Sequence, residues 1–281
     1  MRLFDAWQLG TTTGLSRLDA QWLLLHVLAR PLHDRAWLLA HDHATLTPEQ
    51  ERQFTALLAR AAQGEPLGYL VGTQAFFGLE LQVDARVLLP RPDTETLVHW
   101  ALDALAGQTA PTVLDLGTGS GAVALAIQHQ RPDARVTATD ASADALAVAR
   151  ANATRLQLPV QFLAGHWLAP ISGQFNLIVS NPPYIEDNDP HLAGLTHEPQ
   201  SALTAGPDGL ADLRTIVRDA PAHLRPGGWL LLEHGHNQAD AVQALLREAG
   251  FQQVASRNDL ARITRCSGGQ IGLHGAPTGQ Q

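Results

Sequence analysis

The sequence predicts an α/β protein: a doubly wound, mostly parallel sheet with an antiparallel edge hairpin, preceded by a small helical domain. Three observations predict it. From residue 111 onward, short apolar runs alternate with helical stretches, as strands buried on both faces and their covering helices do. The first of these runs, "TVLDL", passes into its helix through a glycine-rich turn, "GTGSG". Before residue 64 the apolar residues instead recur at three- and four-residue steps.

In chain order, Leu15, Leu18, Trp22, Leu25 and Leu28 form one helical stripe, which Pro31 ends. "RAWLLAH" reads as a second, short helix. "TPEQERQFTALLARAAQG" reads as a third, with Thr47 at the N-cap, Pro48 in the first helical position and Gly64 beyond the end. These elements place a helical domain at residues 1–68. Residues 69–92 change to short alternation broken by Gly72 and Gly78, a β-hairpin linker. "PRPDTETLVHWALDAL" opens a new helix with Asp93 or Thr94 as its cap, and the strand and helix rhythm then defines a domain over residues 93–266. "FQQVASRNDLARITRC" reads as two closing strands, a hairpin at the sheet edge. The Gly- and Gln-rich remainder, residues 267–281, is expected to be disordered.

Composition excludes several chemistries. All 19 basic residues are arginine, which rules out a Schiff-base lysine, a pyridoxal-phosphate enzyme and the lysine-bearing phosphate loop. The formal net charge is −8, and over residues 1–85 nine acids face six arginines. A protein gripping nucleic acid by its phosphates wants the opposite sign, so no direct nucleic-acid contact is expected. Cys266 is the only cysteine, which forbids an internal disulfide. "MRLFDAWQLG" lacks a signal-peptide core, and no apolar run approaches the roughly 20 residues of a membrane span. A cytoplasmic, membrane-free monomer is the expectation. The pairs His41/His43 and His234/His236 lack a third ligand at suggestive spacing, so no metal is expected.

Gly117, Thr118, Gly119, Ser120 and Gly121 form a loop in which glycine allows a tight turn and close approach to a ligand at a helix N-terminus. Two cofactor classes fit. Gly117, Gly119 and Ala122 satisfy a dinucleotide form, and Asp140, ending "VTATD", sits where an acid accepts ribose hydroxyls from either S-adenosylmethionine or NAD. Asp115 favours the former, since an acid before the glycines repels a pyrophosphate but suits an ammonium and a sulfonium; alternatively it caps the turn. Trp167, in "LAGHWLAP" after the third strand, either stacks on an adenine or packs in the core.

The run "LIVSNPPYIED" ends a strand with Asn181-Pro182-Pro183-Tyr184. This segment suits a planar NH2 group. The Asn181 carbonyl accepts one hydrogen, the Pro182 backbone carbonyl accepts the other, and Tyr184 offers a flat face. A conjugated nitrogen is a poor nucleophile, so two fixed acceptors that orient it and absorb developing positive charge form a site for methyl transfer without metal, lysine or cysteine.

Together, "EPLGYLVGTQAFFGLELQVDARVLLPRPDTE", "VLDLGTGSGAVAL", "VSNPPYI", "GLADLRTIV" and "LRPGGWLLLEHG" resemble the bacterial release-factor glutamine methyltransferases, the PrmC/HemK family, over most of residues 1–265. The resemblance implies a Rossmann-like methyltransferase domain that methylates the side-chain amide of the glutamine in the Gly-Gly-Gln loop of peptide-chain release factors, using S-adenosylmethionine. Carried over, Gly117 to Gly121, Asp140 and Trp167 match its cofactor positions. Asn181, Pro182, Pro183 and Tyr184 match its glutamine-binding motif, with Asn181 also beside the cofactor. Arg91 and Pro92 would lie at the pocket mouth or form an interdomain turn, and the helical domain would dock the protein substrate. Two departures stand out. His166 replaces the acid commonly found before the tryptophan, and Gly268-Gly269-Gln270 repeats the substrate tripeptide, which raises self-methylation or pseudosubstrate occupancy. Rival readings are a ribosomal-protein glutamine methyltransferase, a nucleic-acid adenine methyltransferase, which would need a basic groove, and a non-catalytic cofactor-binding module, against which Asn181 and Tyr184 argue.

Overall fold

Residues 1–273 are described in the computed structural model of the chain, which divides into two compact units at Thr73/Gln74. The first unit is helical: α1 (Leu3–Thr12), α2 (Arg17–Val27), α3 (Arg35–Ala40), α4 (Pro48–Ala62) and α5 (Leu67–Val71). Sequence periodicity did not separate α1, although Leu3, Ala6, Trp7 and Gly10 are its buried face. Gly10 matters by what it lacks, because a Cβ there would stand 2.6 Å from the Cβ of Ala20, so α1 and α2 pack with their backbones close. The Thr47 cap is present as a capping box: Gln50 donates its N–H to the Thr47 hydroxyl at 3.2 Å, and its side-chain oxygen accepts the Thr47 N–H at 3.0 Å. Leu23, Leu24, Leu25, Phe54 and Leu58 are at the centre of the unit's core.

The linker begins later than expected. Residues 69–71 belong to α5, which Gly72 terminates in the left-handed conformation at φ +75°, and the hairpin is β1 (Thr73–Phe76) with β2 (Leu79–Gln82). A 3₁₀ turn, Pro92–Thr94, then leads into α6 (Glu95–Ala104). Thr94 makes no capping bond; it is buried, and its hydroxyl is engaged elsewhere.

The rest of the second unit alternates as predicted: β3 (Thr112–Leu116), α7 (Ala122–Gln130), β4 (Arg135–Asp140), α8 (Ala143–Leu156), β5 (Val160–Ala164), β6 (Phe175–Ser180), α9 (Ala211–Asp219), β7 (Leu224–Glu233), α10 (Ala239–Glu248), β8 (Gln252–Asn258) and β9 (Thr264–Gln270). The strand order is β5-β4-β3-β6-β7-β9-β8; neighbours from β5 to β7 are parallel, while β9 runs antiparallel to both β7 and β8. Strand order reverses between β3 and β6, and at such a switch point a crevice opens outside the carboxyl ends of the strands. Register decides what faces it. Leu116 pairs with Ser180, whose hydroxyl donates to the Leu116 carbonyl at 2.8 Å, so Gly117 and Asn181 leave the sheet as neighbours.

The expectation of disorder from residue 267 is overturned for residues 267–270, which belong to β9 between β7 and β8. Glycine is required there. A Cβ on Gly268 would lie 2.5 Å from Leu231 Cδ2 and 2.8 Å from the Leu230 carbonyl oxygen, and one on Gly269 would lie 2.8 Å from Phe251 Cβ. Gln270 donates to the Gly227 carbonyl at 2.8 Å and accepts from Gln253 at 2.7 Å. It pairs with Trp229, four residues short of Glu233 on β7, or ~13 Å by strand rise. Gly268-Gly269-Gln270 is thus a fixed piece of sheet rather than a free pseudosubstrate. The remainder of the expected tail, residues 274–281, lies outside the described residues.

Candidate active site

Three cavities meet at the switch point. The largest, about 250 Å³, is lined by Gly117, Gly119, Asp140, His166, Trp167, Asn181 and Pro183 among others. A second, about 50 Å³, takes in Asp115, Gly117, Thr118, Gly119, Ser120, Arg91, Thr94 and Asn181. A third, about 80 Å³, is walled by Leu88, Ile185, Leu195 and Leu203 together with Arg91, Asn181, Pro182 and Tyr184. Leu88 and Asn181 line all three.

The glycine loop is built by its own backbone and by Asp140. Thr118 donates its N–H to the Thr139 carbonyl at 2.9 Å, and Gly121 donates to Thr118 at 2.8 Å. The Gly119 N–H reaches Asp140 Oδ2 at 2.9 Å, and Ser142 N–H reaches Oδ1 at 2.8 Å, which aims the carboxylate at the cavity rim it lines. Gly117, Gly119 and Gly121 all have positive φ, as the turn demands. At Gly117 the space is also taken, since a Cβ would meet Trp167 Cζ3 at 2.9 Å. Ser120 is buried, and its carbonyl accepts from Asn152 at 3.0 Å. Asn152 also holds the Gln82 N–H at 2.7 Å and its carbonyl at 2.9 Å, tying β2 to the loop.

Asp115 is buried and accepts the Thr118 hydroxyl at 2.6 Å. It braces the turn and lines the second cavity. Burial pushes its carboxyl up to about 7, against the hydrogen bond from Thr118. Trp167 likewise does two things: it packs against the core that includes Leu168 and Ile171, and it lines the largest cavity. Its indole donates to Asp212 Oδ1 at 3.1 Å, with Asp212 on α9 lining the same cavity. His166 borders that cavity too, its ring edge-on to Trp167 at 5.2 Å.

The Asn-Pro-Pro-Tyr segment divides between cavities: Pro183 faces the largest, Pro182 and Tyr184 the third, and Asn181 all of them. Asn181 donates its Nδ2 to the Thr94 hydroxyl at 3.2 Å, which leaves Oδ1 as the atom free to accept. Tyr184 reaches Glu233 Oε1 with its hydroxyl at 3.5 Å, and burial beside that carboxylate raises its phenol above the ordinary range. Arg91 lines the second and third cavities and is ion-paired with buried Glu198, which also accepts the Leu89 N–H at 3.2 Å. Pro92 is not brought to them. It borders a separate cavity with Glu95, His99, Arg257 and Leu260.

Residues 8–72 match the family model described as PrmC N-terminal domain, and residues 94–206 match the one described as Methyltransferase small domain. A release factor glutamine methyltransferase of Bordetella pertussis is 52% identical over 92% of this chain and 96% of its own length. The chain belongs to the release factor glutamine methyltransferase family. A Yersinia pestis protein of the same description, 48% identical, covers 92% of this chain and 94% of itself. A methyltransferase crystal structure from Pyrococcus furiosus, 18% identical, superposes with a TM-score of 0.53 over 80% of this chain and 100% of that one, which shows the fold.

In this member of the family, Thr94, Asn152, Asp212, Glu198 and Glu233 contact residues of the candidate site, a place the sequence reading gave to none of them. Each acts on a partner between 30 and 110 positions away, except for the bond of Thr94 within its own turn, so no local motif marks it.

Proposed function

We infer that this protein transfers a methyl group from S-adenosyl-L-methionine to the side-chain amide nitrogen of the Gly-Gly-Gln glutamine in peptide-chain release factors. The observation carrying the reading is Asn181 at the junction of the three cavities, its amide orientation held by Thr94. The names of relatives 42–52% identical over about nine-tenths of the chain support the substrate.

The residues fit the cofactor. The backbone at Gly117 has no room for a side chain, Asp140 stands at the rim of the largest cavity where ribose hydroxyls can be accepted, and Trp167 supplies a flat wall for an adenine. Asp115, bordering the adjoining cavity, is the acid suited to an ammonium. When bound, S-adenosylmethionine supplies an electrophilic methyl carried by a sulfonium.

The chain's own residues do the rest. The apolar walls of the third cavity, Leu88, Ile185, Leu195 and Leu203, suit the two methylenes of a glutamine, and Asn181 and Pro182 stand where its amide would end. Asn181 Oδ1 and the Pro182 carbonyl accept the two amide hydrogens, while Tyr184 stacks on the amide plane. Held so, the nitrogen presents its lone pair in one direction, and the two acceptors stabilise the positive charge that grows on it. As the N–C bond forms, the methyl's bond to sulfur breaks and leaves a neutral thioether, and the amide nitrogen gives up one proton to solvent. A net charge of −8 suits a protein acceptor better than a phosphate-bearing one. Among the described residues no helix is long and apolar enough to cross a membrane. A cytoplasmic monomer whose helical unit docks the factor completes the proposal.

The test is a methyl-transfer assay with labelled cofactor, offering release factor, its loop variant with alanine for the glutamine, a ribosomal protein and duplex DNA. Label is expected in the intact factor alone. Undiminished label in the alanine variant would contradict the glutamine assignment.

A further inference from the structure

One buried acid remains unexplained by the reaction. Glu233 ends β7 with 1% of its surface exposed, yet it touches no cavity that holds cofactor or substrate in the reading above. A buried carboxylate without a cation against it is costly, and here Oε2 lacks a well-aligned hydrogen-bond partner among the described residues. What surrounds Glu233 is the substrate segment itself. The Tyr184 hydroxyl reaches Oε1 at 3.5 Å, and the Thr94 hydroxyl lies beside the carboxylate and favours its charged form. Thr94 in turn receives Asn181 Nδ2 at 3.2 Å. One carboxylate therefore braces both ends of Asn181-Pro182-Pro183-Tyr184, the aromatic end directly and the amide end through one hydroxyl.

We propose that Glu233 is a positioning residue for methyl transfer, fixing the Tyr184 ring and, through Thr94, the orientation of the Asn181 amide. The inference rests on the proposed function only for the identity of the acceptor. Its logic is that of support behind an active site. An Asn amide that can rotate offers Nδ2 as often as Oδ1, and a donor in place of an acceptor would repel the amide hydrogens it should receive. With Thr94 oriented by Glu233, only Oδ1 is left toward the substrate.

Burial pushes the Glu233 carboxyl up to about 7, with Asp93 raising it further and Arg265 and the two hydroxyls opposing. The charged groups facing it come from each element packed there. Asp93 belongs to the turn before α6, and Arg265 on β9 is itself paired with Asp93 and Asp259. Cys266 is its register partner on β9, a buried thiol pushed well above its usual range. The neighbouring His234 donates Nδ1–H to the Gly235 carbonyl and is held toward neutrality by burial. Glu233 is thus the group of this cluster that changes charge near neutrality, and a charged acceptor holds hydroxyls more firmly than a neutral one.

The experiment compares the full chain with Glu233→Gln, which keeps shape and an acceptor but cannot ionise, and Glu233→Ala. Cofactor affinity by calorimetry is expected to stay within about threefold of the parent in both, while kcat falls by on the order of tenfold in Glu233→Gln at alkaline pH and more in Glu233→Ala. The ratio of parent to Glu233→Gln kcat is expected to climb as pH rises through about 7, a comparison in which titrations common to both proteins, such as that of Asp115, cancel. A ratio of one across that range, or an unchanged kcat in a folded Glu233→Ala, overturns the proposal. A second readout needs no acceptor. The chain has two tyrosines, so ¹³Cζ-tyrosine labelling with Tyr69→Phe assigns Tyr184, whose resonance should titrate near neutrality in the parent and not in Glu233→Gln. If that titration is present but no glutamine is methylated, the acceptor assignment fails and the bracing role stands. If the Tyr184 resonance is the same in the parent and in Glu233→Gln at every pH, the bracing role fails whatever the acceptor.

Discussion

Trp167 donates its indole N–H to Asp212 Oδ1 at 3.1 Å, and both side chains line the 250 Å³ cavity. The bond joins the loop after β5 to the first turn of α9 and fixes the plane of the ring, at a residue whose backbone sits at φ +46°. Asp212→Ala frees the indole to swing. A hydrogen bond to a charged acceptor contributes ~1.5–3 kcal/mol, so S-adenosylmethionine affinity is expected to fall by about tenfold or somewhat more. Calorimetric titration checks this, and kcat at saturating cofactor should be little changed.

Asp140 has two duties, receiving the Gly119 and Ser142 N–H groups and facing the cavity. On the proposed reading Asp140→Ala removes the ribose acceptor, and it leaves the Gly119 and Ser142 N–H groups without their partner. The two losses act on one equilibrium, and cofactor affinity is expected to drop by on the order of 10²-fold. Asp140→Asn keeps one acceptor oxygen and should fall between the parent and the alanine variant in the same titration.

Asn181 and Thr94 separate chemistry from orientation. On the proposed mechanism Asn181→Ala deletes a charge-stabilising acceptor, and it is expected to lower kcat by on the order of 10²-fold or more while cofactor affinity changes little. Thr94→Val keeps the volume and removes only the hydroxyl that holds Nδ2, so its kcat should fall by ~10-fold, less than that of Asn181→Ala. Steady-state assays of both variants decide the order. Equal losses would mean that Thr94 serves more than orientation.

The parts of the site that were legible in the sequence are those written contiguously. Gly117 to Gly121 and Asn181 to Tyr184 each follow an apolar strand, and strand ends gather at one edge of a parallel sheet. Thr94 was one of two candidate caps, with Asp93, because of its position next to α6, but its hydroxyl receives Asn181 Nδ2, 87 positions away. Asp212 and Glu233 look like ordinary helix and strand residues until the fold brings Trp167 and Tyr184 against them. Residues 267–270, the second half of β9, were misread for a different reason. Their Ser-Gly-Gly-Gln composition resembles that of a flexible tail, whereas between β7 and β8 the glycines answer to close packing, a constraint that composition does not carry.

That packing makes a direct prediction. Gly268 pairs with Leu231, and a methyl group there would stand 2.5 Å from Leu231 Cδ2 and 2.8 Å from the Leu230 carbonyl oxygen. The leucine tip can move, but the backbone oxygen of a central strand can do so only by bending the sheet. Gly268→Ala is expected to destabilise the protein by ~1–3 kcal/mol, as overpacking does. Urea unfolding checks it, and a midpoint equal to that of the parent would show residues 267–270 to be loosely held.

Asp115 makes stability depend on pH in a fixed direction. The unfolded chain releases this proton near 3.8, and the folded protein releases it only at about 7. Between those values the native state binds more protons than the unfolded state, so stability is full below the first and declines as pH rises toward the second. Each unit of displacement corresponds to ~1.4 kcal/mol. Asp115→Asn can still accept the Thr118 hydroxyl but has no proton to lose. Its unfolding free energy, measured in urea from about pH 5 to about pH 8, should decline less than that of the parent by ~1–4 kcal/mol. Glu233, also raised to about 7 by burial, contributes a decline of the same sign, which Asp115→Asn retains and a double variant with Glu233→Gln would remove. Parallel pH profiles for the parent and Asp115→Asn would mean that the buried acid is already ionised at the lower end of the range, stabilised by a partner other than Thr118.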